Sequence, residues 1–220
     1  MKKVFATLFA ATMLLAGSQA YAQVVIGAGY LASMENTKDN DKKVVDKTTY
    51  HGFYLGASYN FHLGGSGFGV APGFYLNMLM HNENATGGNA NMGLTVMGNY
   101  TELALNIPVN FSYSYEINED LKIMAFLGPN FQYGVMAKTN VRGTANILKY
   151  TFSDGEQYNH YDSKNGNRNP FNIYLGGGIG VQVGDVLFTV GYDHNLLDVD
   201  KYDNLRTGRN QIKAGVNFCF

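Results

Sequence analysis

The sequence predicts an all-β fold, an eight-stranded antiparallel transmembrane up-and-down β-barrel with short periplasmic turns and long outer loops. Eight segments alternate apolar and polar residues, and the connections between them alternate between short and long. The last segment ends at the aromatic Phe220. An even number of alternating segments with this loop pattern is typical of bacterial outer-membrane barrels.

Residues 1–22 have the features of a secretory signal peptide, which leaves residues 23–220 as an outer-membrane β-barrel domain. Lys2 and Lys3 precede an apolar stretch, and small residues precede the expected cleavage before Gln23. The apolar stretch is shorter than the roughly 20 residues that a spanning helix needs. We therefore expect the mature chain to enter a membrane through strands.

The composition excludes several functional classes. The net charge is −1, so the charge gives no indication of a nucleic-acid partner. Charged residues make up 15% of the chain, whereas a soluble domain usually has about 25%. The single cysteine, Cys219, has no partner for an internal disulfide and is expected to pack as a small side chain.

The eight segments follow one another from the expected cleavage site to the C-terminus. In the fourth, Leu103, Leu105 and Ile107 share one face, and Glu102, Ala104 and Asn106 share the other. The sixth repeats this arrangement, with Gly176, Gly178 and Gly180 on the polar face. The segments cover residues 24–34, 50–62, 68–80, 100–117, 121–138, 171–183, 186–196 and 211–220.

Periodicity alone allows two orientations. In a soluble barrel the large apolar side chains would fill the centre, whereas in a membrane barrel they would face lipid. The polar face is rich in Gly, Ser, Asn and Ala, which are small for a solvated surface. Such side chains suit the narrow interior of an eight-stranded barrel, so the pattern favours the membrane orientation.

The connections place the two rims of the barrel. Tight turns are expected at residues 64–67, 118–120 and 184–185, and long polar loops at residues 35–49, 81–99, 139–170 and 195–210. The short connections therefore share the periplasmic rim with both chain ends. Tyrosines near the strand ends are expected to face the two membrane interfaces, namely Tyr30, Tyr50, Tyr59, Tyr75, Tyr113, Tyr115, Tyr133 and Tyr192.

Three prolines, Pro72, Pro108 and Pro129, fall inside predicted strands. Proline lacks the N–H that a closed barrel needs at every position. We therefore expect bulges or local bends there; if the prolines ended strands, the count of eight would be wrong.

The stretch from Thr101 to Tyr115, with Ile107-Pro108, and the following Gly128-Pro129 resemble the small outer-membrane β-barrel family of Bacteroidetes that is often called PorT-like. The resemblance extends over residues 23–220 and includes the terminal Phe220. It implies a barrel architecture in the outer membrane, and it does not imply any particular activity.

One lumen contact can be predicted by counting along the strands. Asp193 and Lys213 each lie seven residues from one end of their segments, and both fall on the polar face. We expect their charges to meet inside the barrel, because pairing offsets the cost of burial. We predict no catalytic, cofactor-binding or metal-binding residues, and no cofactor.

Two patterns suggest chemistry but have simpler explanations. Gly27 and Gly29 fit a dinucleotide-binding pattern, yet a polar loop follows where that pattern needs a helix. The outer loops hold polar residues that a lipid-modifying enzyme could use, or that could bind Ca²⁺ or lipopolysaccharide, although solvated loops are a sufficient explanation. These are His81, His160, Asp162, Ser163, Asp198, Asp200 and Asp203.

The sequence leaves three functions open. The leading interpretation is a non-enzymatic barrel with a filled lumen, acting in envelope structure or surface interaction. The second is a narrow, porin-like passive transporter of small solutes, and the third is an outer-leaflet lipid-modifying enzyme. The expected partners are outer-membrane lipid and lipopolysaccharide, the barrel assembly machinery through Phe220, and a surface partner through loop 139–170.

Overall fold

In the computed structural model, alternating residues of the chain form one closed ring of antiparallel strands. The structure describes residues 22–39, 44–89, 92–147, 150–162, 166–201 and 205–220. The predicted signal peptide, apart from Ala22, lies outside the described residues. The strands are β1 (Ala22–Asp39), β2 (Val44–His62), β3 (Phe68–Asn89), β4 (Met92–Glu116), β5 (Leu121–Ile147), β6 (Tyr150–Asn159), β7 (Phe171–Val183), β8 (Val186–Asn195) and β9 (Leu205–Cys219).

Eight of these strands form the barrel, as predicted. Neighbours in the ring are β4, β3, β2, β1, β9, β8, β7 and β5, and pairing of β4 with β5 closes it. The first and last strands meet in register, with Val25 opposite Cys219. Strand β6 lies outside the ring and pairs only with the outer part of β5 among the described strands. The described part of the chain contains no helix that is long and apolar enough to span a membrane.

The orientation of the side chains confirms the membrane arrangement. The outward face is apolar and exposed: Ile179 is 66% exposed and Phe111 is 61% exposed. The inward face holds buried polar side chains, such as Asn172 and Gln211, both at 0%. A soluble barrel would show the reverse. Hydrophobic residues on the outside and polar residues inside follow from lipid as the surrounding solvent.

Most of the predicted interfacial tyrosines lie on the outward face, but two do not. Exposed rings lie toward both rims, with Tyr59, Tyr113 and Tyr115 near the short turns and Tyr30, Tyr133 and Tyr192 near the other end. Tyr50 and Tyr75 were wrongly assigned to this group. Both alternate with outward residues and therefore point inward, where they pack in one buried cluster with Leu31 and Tyr54.

The predicted outer loops are largely paired strands rather than irregular chain. Strands β3 and β4 stay paired to Asn89 and Met92, and β5 and β6 stay paired to Ile147 and Tyr150. Because β4 and β5 also remain paired there, four strands extend beyond the barrel wall as one outer sheet. This outer sheet comprises residues 81–89, 92–99, 139–147 and 150–159.

The bulges predicted at the three prolines were wrong, and the alternative of local bends stays a prediction. Strands β3, β4 and β5 continue through Pro72, Pro108 and Pro129. The ladders of these strands lose two residue pairs beside each proline and then resume in the same register. The register shifts lie elsewhere, at Thr37/Lys38 and at Leu103/Ala104. The missing N–H is therefore accommodated by a local gap in pairing.

Candidate functional site in the barrel lumen

A cluster of four charged side chains fills the outer end of the lumen. Glu35 comes from β1, Glu102 from β4 and Arg209 from β9, and Arg168 lies in the link between β6 and β7. Each strand residue has the parity of the inward face, so strand geometry directs all three toward the axis. The side chains are almost fully buried, with Arg209 at 0% and Glu102 at 1% exposure.

Arg209 joins the two carboxylates across the lumen. Its Nε lies 2.6 Å from Glu35 Oε1, and its Nη1 lies 2.7 Å from Glu102 Oε1. Glu102 also accepts hydrogen bonds from the hydroxyl of Tyr100 at 2.5 Å and from that of Tyr161 at 2.9 Å. Buried charges need such partners, because an isolated ion in the interior is costly.

Arg168 closes the cluster from the outside. Its guanidinium binds Glu35 in a bidentate manner, with Nη1–Oε1 and Nη2–Oε2 distances of 2.9 and 2.8 Å. It also donates to the hydroxyls of Tyr100 at 3.1 Å and Tyr50 at 3.0 Å. Its carbon Cζ lies 5.2 Å from the ring centroid of Tyr100, within the range of cation–π attraction. Burial acts to lower the pKa of Arg168, but the Glu35 carboxylate and the hydroxyls of Tyr100 and Tyr50 together outweigh burial and raise that pKa.

Backbone hydrogen bonds hold the Arg168 segment across the mouth. The Arg168 amide donates to the carbonyl of His160 at 3.0 Å, and the Asn169 amide donates to that of Val199 at 2.8 Å. Arg168 also forms an isolated β-bridge with Asp200. The link is therefore tied both to the end of β6 and to the segment before β9, and it positions the guanidinium over the lumen.

A second part of the lumen, below this cluster, is open. A cavity of about 790 Å³ extends from the short turns toward the middle of the barrel. Gly67, Glu116 and Phe220 line its periplasmic end, and Asn77 and Asn106 line its inner end. Glu102 and Gln132, each 1% exposed, lie above the inner end and separate the cavity from the outer mouth.

The structure brings together the predicted lumen pair. Lys213 Nζ lies 2.5 Å from Asp193 Oδ2, on the wall of the open cavity. Asp193 also accepts a hydrogen bond from Asn130 Nδ2 at 3.0 Å. The predicted parity of strands β8 and β9 is thus the parity that the structure shows.

Among the described residues, the side chain of His160 pairs with neutral groups. His160 makes hydrogen bonds to Thr139 Oγ1 at 2.7 Å and to Asn167 Oδ1 at 2.8 Å. His81 lies 3.2 Å from Glu83. Ser163 and Asp203 lie outside the described residues. Within the described ranges, no group of three or more His, Cys, Asp or Glu side chains is arranged so that it could hold a metal ion.

Two of the acidic residues before β9, Asp198 and Asp200, serve a local structural role. Asp198 Oδ1 accepts the amides of Asp200 at 3.1 Å and Thr207 at 2.9 Å. Asp200 Oδ2 accepts a hydrogen bond from the Thr207 hydroxyl. These contacts fix the turn that carries the bridge to Arg168.

Sequence reasoning missed most of the charged cluster. Glu35, Arg168 and Arg209 were all assigned to outer loops, and Glu102 was recognised only as part of a polar face. A usable signal was present for two of them, because Glu35 continues the inward parity of Leu31 and Arg209 continues that of Lys213. Nothing periodic surrounds Arg168.

Comparison with known proteins gives one family and a set of distant structures. The model of the outer membrane protein beta-barrel domain family matches residues 16–201. Among curated proteins, none matches the chain.

Solved structures with a similar outline include Ail, the attachment invasion locus protein of Yersinia pestis, crystallised with the heparin analogue sucrose octasulfate. It is 14% identical, covers 90% of this chain and 99% of its own, and has a TM-score of 0.40. OprG of Pseudomonas aeruginosa is 11% identical, with coverage of 91% and 97% and a TM-score of 0.40. The outer membrane enzyme PagL is 10% identical, with coverage of 86% and 98% and a TM-score of 0.42.

Proposed function

Because the chain belongs to the outer membrane protein beta-barrel domain family and lies in the bacterial outer membrane, we propose that it is a closed, non-enzymatic envelope barrel that acts through its outer surface. The observation that carries this proposal is the insertion of Arg168 into the mouth, where it completes the cluster of buried charges. The lumen is filled there by paired side chains, as expected for a barrel of eight strands.

The charge balance of the cluster supports a permanent closure. Two carboxylates face two guanidinium groups, so pairing is complete within the cluster. Removing either partner of a buried pair is strongly unfavourable, typically by about 3–5 kcal/mol. Spontaneous withdrawal of Arg168 would leave Glu35 with one cation in place of two and would expose the hydroxyls of Tyr50 and Tyr100.

The outer sheet supports a role at the surface. Its strand β6 pairs on one side with β5, and residues 82–89 of β3 pair with β4 but not with β2. Within the described residues, neither outer edge has a second neighbouring strand, a feature that supports strand addition by a partner. The described side chains of residues 155–159 are exposed, in keeping with a partner contact through the 139–170 region.

We also propose that the chain is one of the PorT-like barrels common in Bacteroidetes. The Ile107-Pro108 and Gly128-Pro129 motifs lie on adjacent strands, and a Cβ atom on Gly128 would lie 2.0 Å from the carbonyl oxygen of Val109. The motif thus supports a close approach of two backbones, which is an architectural role.

Conductance in planar bilayers tests the closed state. We expect wild-type protein to show no steady open-channel current, whereas Arg168→Ala should show intermittent openings, because the cluster then carries a surplus negative charge and its remaining side chains are held less firmly. Arg142→Ala is the matched control, since Arg142 is an exposed arginine of the outer sheet. A steady porin-like current through the wild-type barrel would overturn the proposal.

A passive transporter is the second candidate, and the open cavity favours it. The cavity already extends through the periplasmic part of the lumen, so displacement of the charged cluster would complete a path. Swelling of liposomes in small neutral solutes distinguishes the two candidates. Liposomes that contain a transporter would swell, at the same rate for the wild type and Arg142→Ala, whereas those that contain a closed barrel would not.

A further inference from the structure

Asparagine side chains concentrate around the inner end of the open cavity. Asn77, Asn106 and Asn130 all line it, on the neighbouring strands β3, β4 and β5. They are 3%, 1% and 3% exposed, respectively. A volume of about 790 Å³ lies within the range of roughly 300–1,000 Å³ that is usual for small-molecule sites.

The amide groups of these residues are incompletely paired. Neither Nδ2 nor Oδ1 of Asn106 has a hydrogen-bond partner among the described residues, and the same holds for Asn77 Nδ2 and Asn130 Oδ1. Buried polar groups in native proteins are nearly always paired, so each exception requires an explanation. Here the unpaired set contains both donors and acceptors.

The charges around the cavity leave little excess of either sign. Lys213 is paired with Asp193 at 2.5 Å, and Lys122 at the periplasmic end is paired with Glu116 at 2.6 Å. An ionic ligand would have to break one of these pairs. A neutral ligand would not.

Aromatic rings complete the lining. Tyr54 and Tyr75 pack edge to face at a centroid distance of 5.9 Å, and both line the cavity together with Phe126. Ring faces provide apolar contact, while carboxamides donate and accept hydrogen bonds. Hydroxyl and acetamido groups also do both, so a ligand that carries several of them on a compact ring satisfies both parts of the lining.

We propose that this cavity is a binding site for a neutral saccharide that enters from the periplasmic side, with the amide of Asn106 as its principal hydrogen-bonding group. The inference does not rest on the proposed closure of the mouth, because the cavity lies below Glu102 and opens at the opposite rim. It assigns the periplasmic half of the lumen a role separate from that of the outer surface.

Isothermal titration of the full-length chain, refolded in detergent micelles, tests the site. The neutral probe is N,N′-diacetylchitobiose, and the charged counterpart is digalacturonic acid. The test variant is Asn106→Leu, which keeps the side-chain size and removes the amide. The control is Asn99→Leu, since Asn99 lies on the outward face of the same strand and is exposed.

We expect saturable binding of diacetylchitobiose to the wild type and to Asn99→Leu, and a loss of affinity of about tenfold or more in Asn106→Leu, the size expected for a lost polar contact. The urea midpoint of Asn106→Leu should stay level or rise, because an unpaired buried amide is removed. Digalacturonic acid should bind more weakly than the neutral probe.

A second route keeps the proposal testable if Asn106→Leu does not fold. Asn110 also lines the cavity and is partly exposed, so Asn110→Cys in a Cys219→Ala background can be labelled with a bulky maleimide. Labelling should abolish binding. The proposal is overturned if the wild type shows no saturable binding, if Asn106→Leu or the labelled protein binds equally well, or if the charged probe binds more tightly.

Discussion

Replacement of Arg168 by methionine measures how much the cluster contributes to stability. The change removes two hydrogen bonds to Glu35 and one each to the hydroxyls of Tyr50 and Tyr100. Loss of one partner of a buried pair costs about 3–5 kcal/mol. Since Glu35 keeps Arg209 Nε at 2.6 Å, we expect a loss near the lower limit, about 3 kcal/mol.

The charge balance predicts a partial rescue. With Arg168→Met alone, the two carboxylates face a single guanidinium. Adding Glu35→Gln restores equal charges and retains an acceptor for Arg209, so the double variant should recover about 1–2 kcal/mol relative to Arg168→Met, the usual size of coupling between residues in contact.

Unfolding in urea, followed by circular dichroism in lipid vesicles, is the appropriate assay because the chain has no tryptophan. Arg142→Met is the control, and its effect should stay within about 0.5 kcal/mol, as for other exposed positions. A loss below about 1 kcal/mol in Arg168→Met would refute the pairing argument. So would a double variant that is less stable than Arg168→Met.

Two further predictions concern groups outside this pair. Burial lowers the pKa of His160 from its ordinary value of 6.5, so folding favours the neutral ring. The stability that His160 gives to the 160–170 link is therefore complete above pH 6.5 and decreases as the pH falls toward the lowered pKa. Proteolysis of this link should accelerate at acidic pH in the wild type and not in His160→Gln. Lys213→Met should cost about 1–2 kcal/mol in the same urea assay, less than a fully buried pair, because Lys213 and Asp193 lie on the wall of the open cavity. Combining this change with Asp193→Asn should cost less than the sum of the two single changes. Strict additivity would show that the two residues do not interact.

The barrel wall was predictable because lipid enforces strict alternation. Every inward residue from Val25 to Glu35 on β1 has the same parity, and the same rule set the positions of Asp193 and Lys213. The outer sheet was not predictable in this way. Residues 82–87 are exposed on both faces, so neither face selects apolar side chains and the periodicity disappears. The strands of the outer sheet continue the pairing of β3, β4 and β5 in the barrel wall, which fixes their register.

The mouth was predictable only in part, for a related reason. Glu35 and Arg209 follow their strand parity beyond the apolar region, so extending the count by two residues would have placed both inside. Arg168 lies in a link without periodicity, and its position depends on backbone hydrogen bonds to His160 and Val199. Such contacts join segments that are distant in the chain, and no local pattern encodes them.

The barrel strands alone leave the cluster unbalanced, which explains why the link must fold inward. Glu35, Glu102 and Arg209 together carry one surplus negative charge in a site from which solvent is largely excluded. Burial of an unpaired carboxylate is costly, whereas a bidentate guanidinium neutralises it and satisfies its oxygens. Arg168 supplies that cation from the link. The surplus negative charge of the wall residues therefore stabilises the position of the link across the mouth.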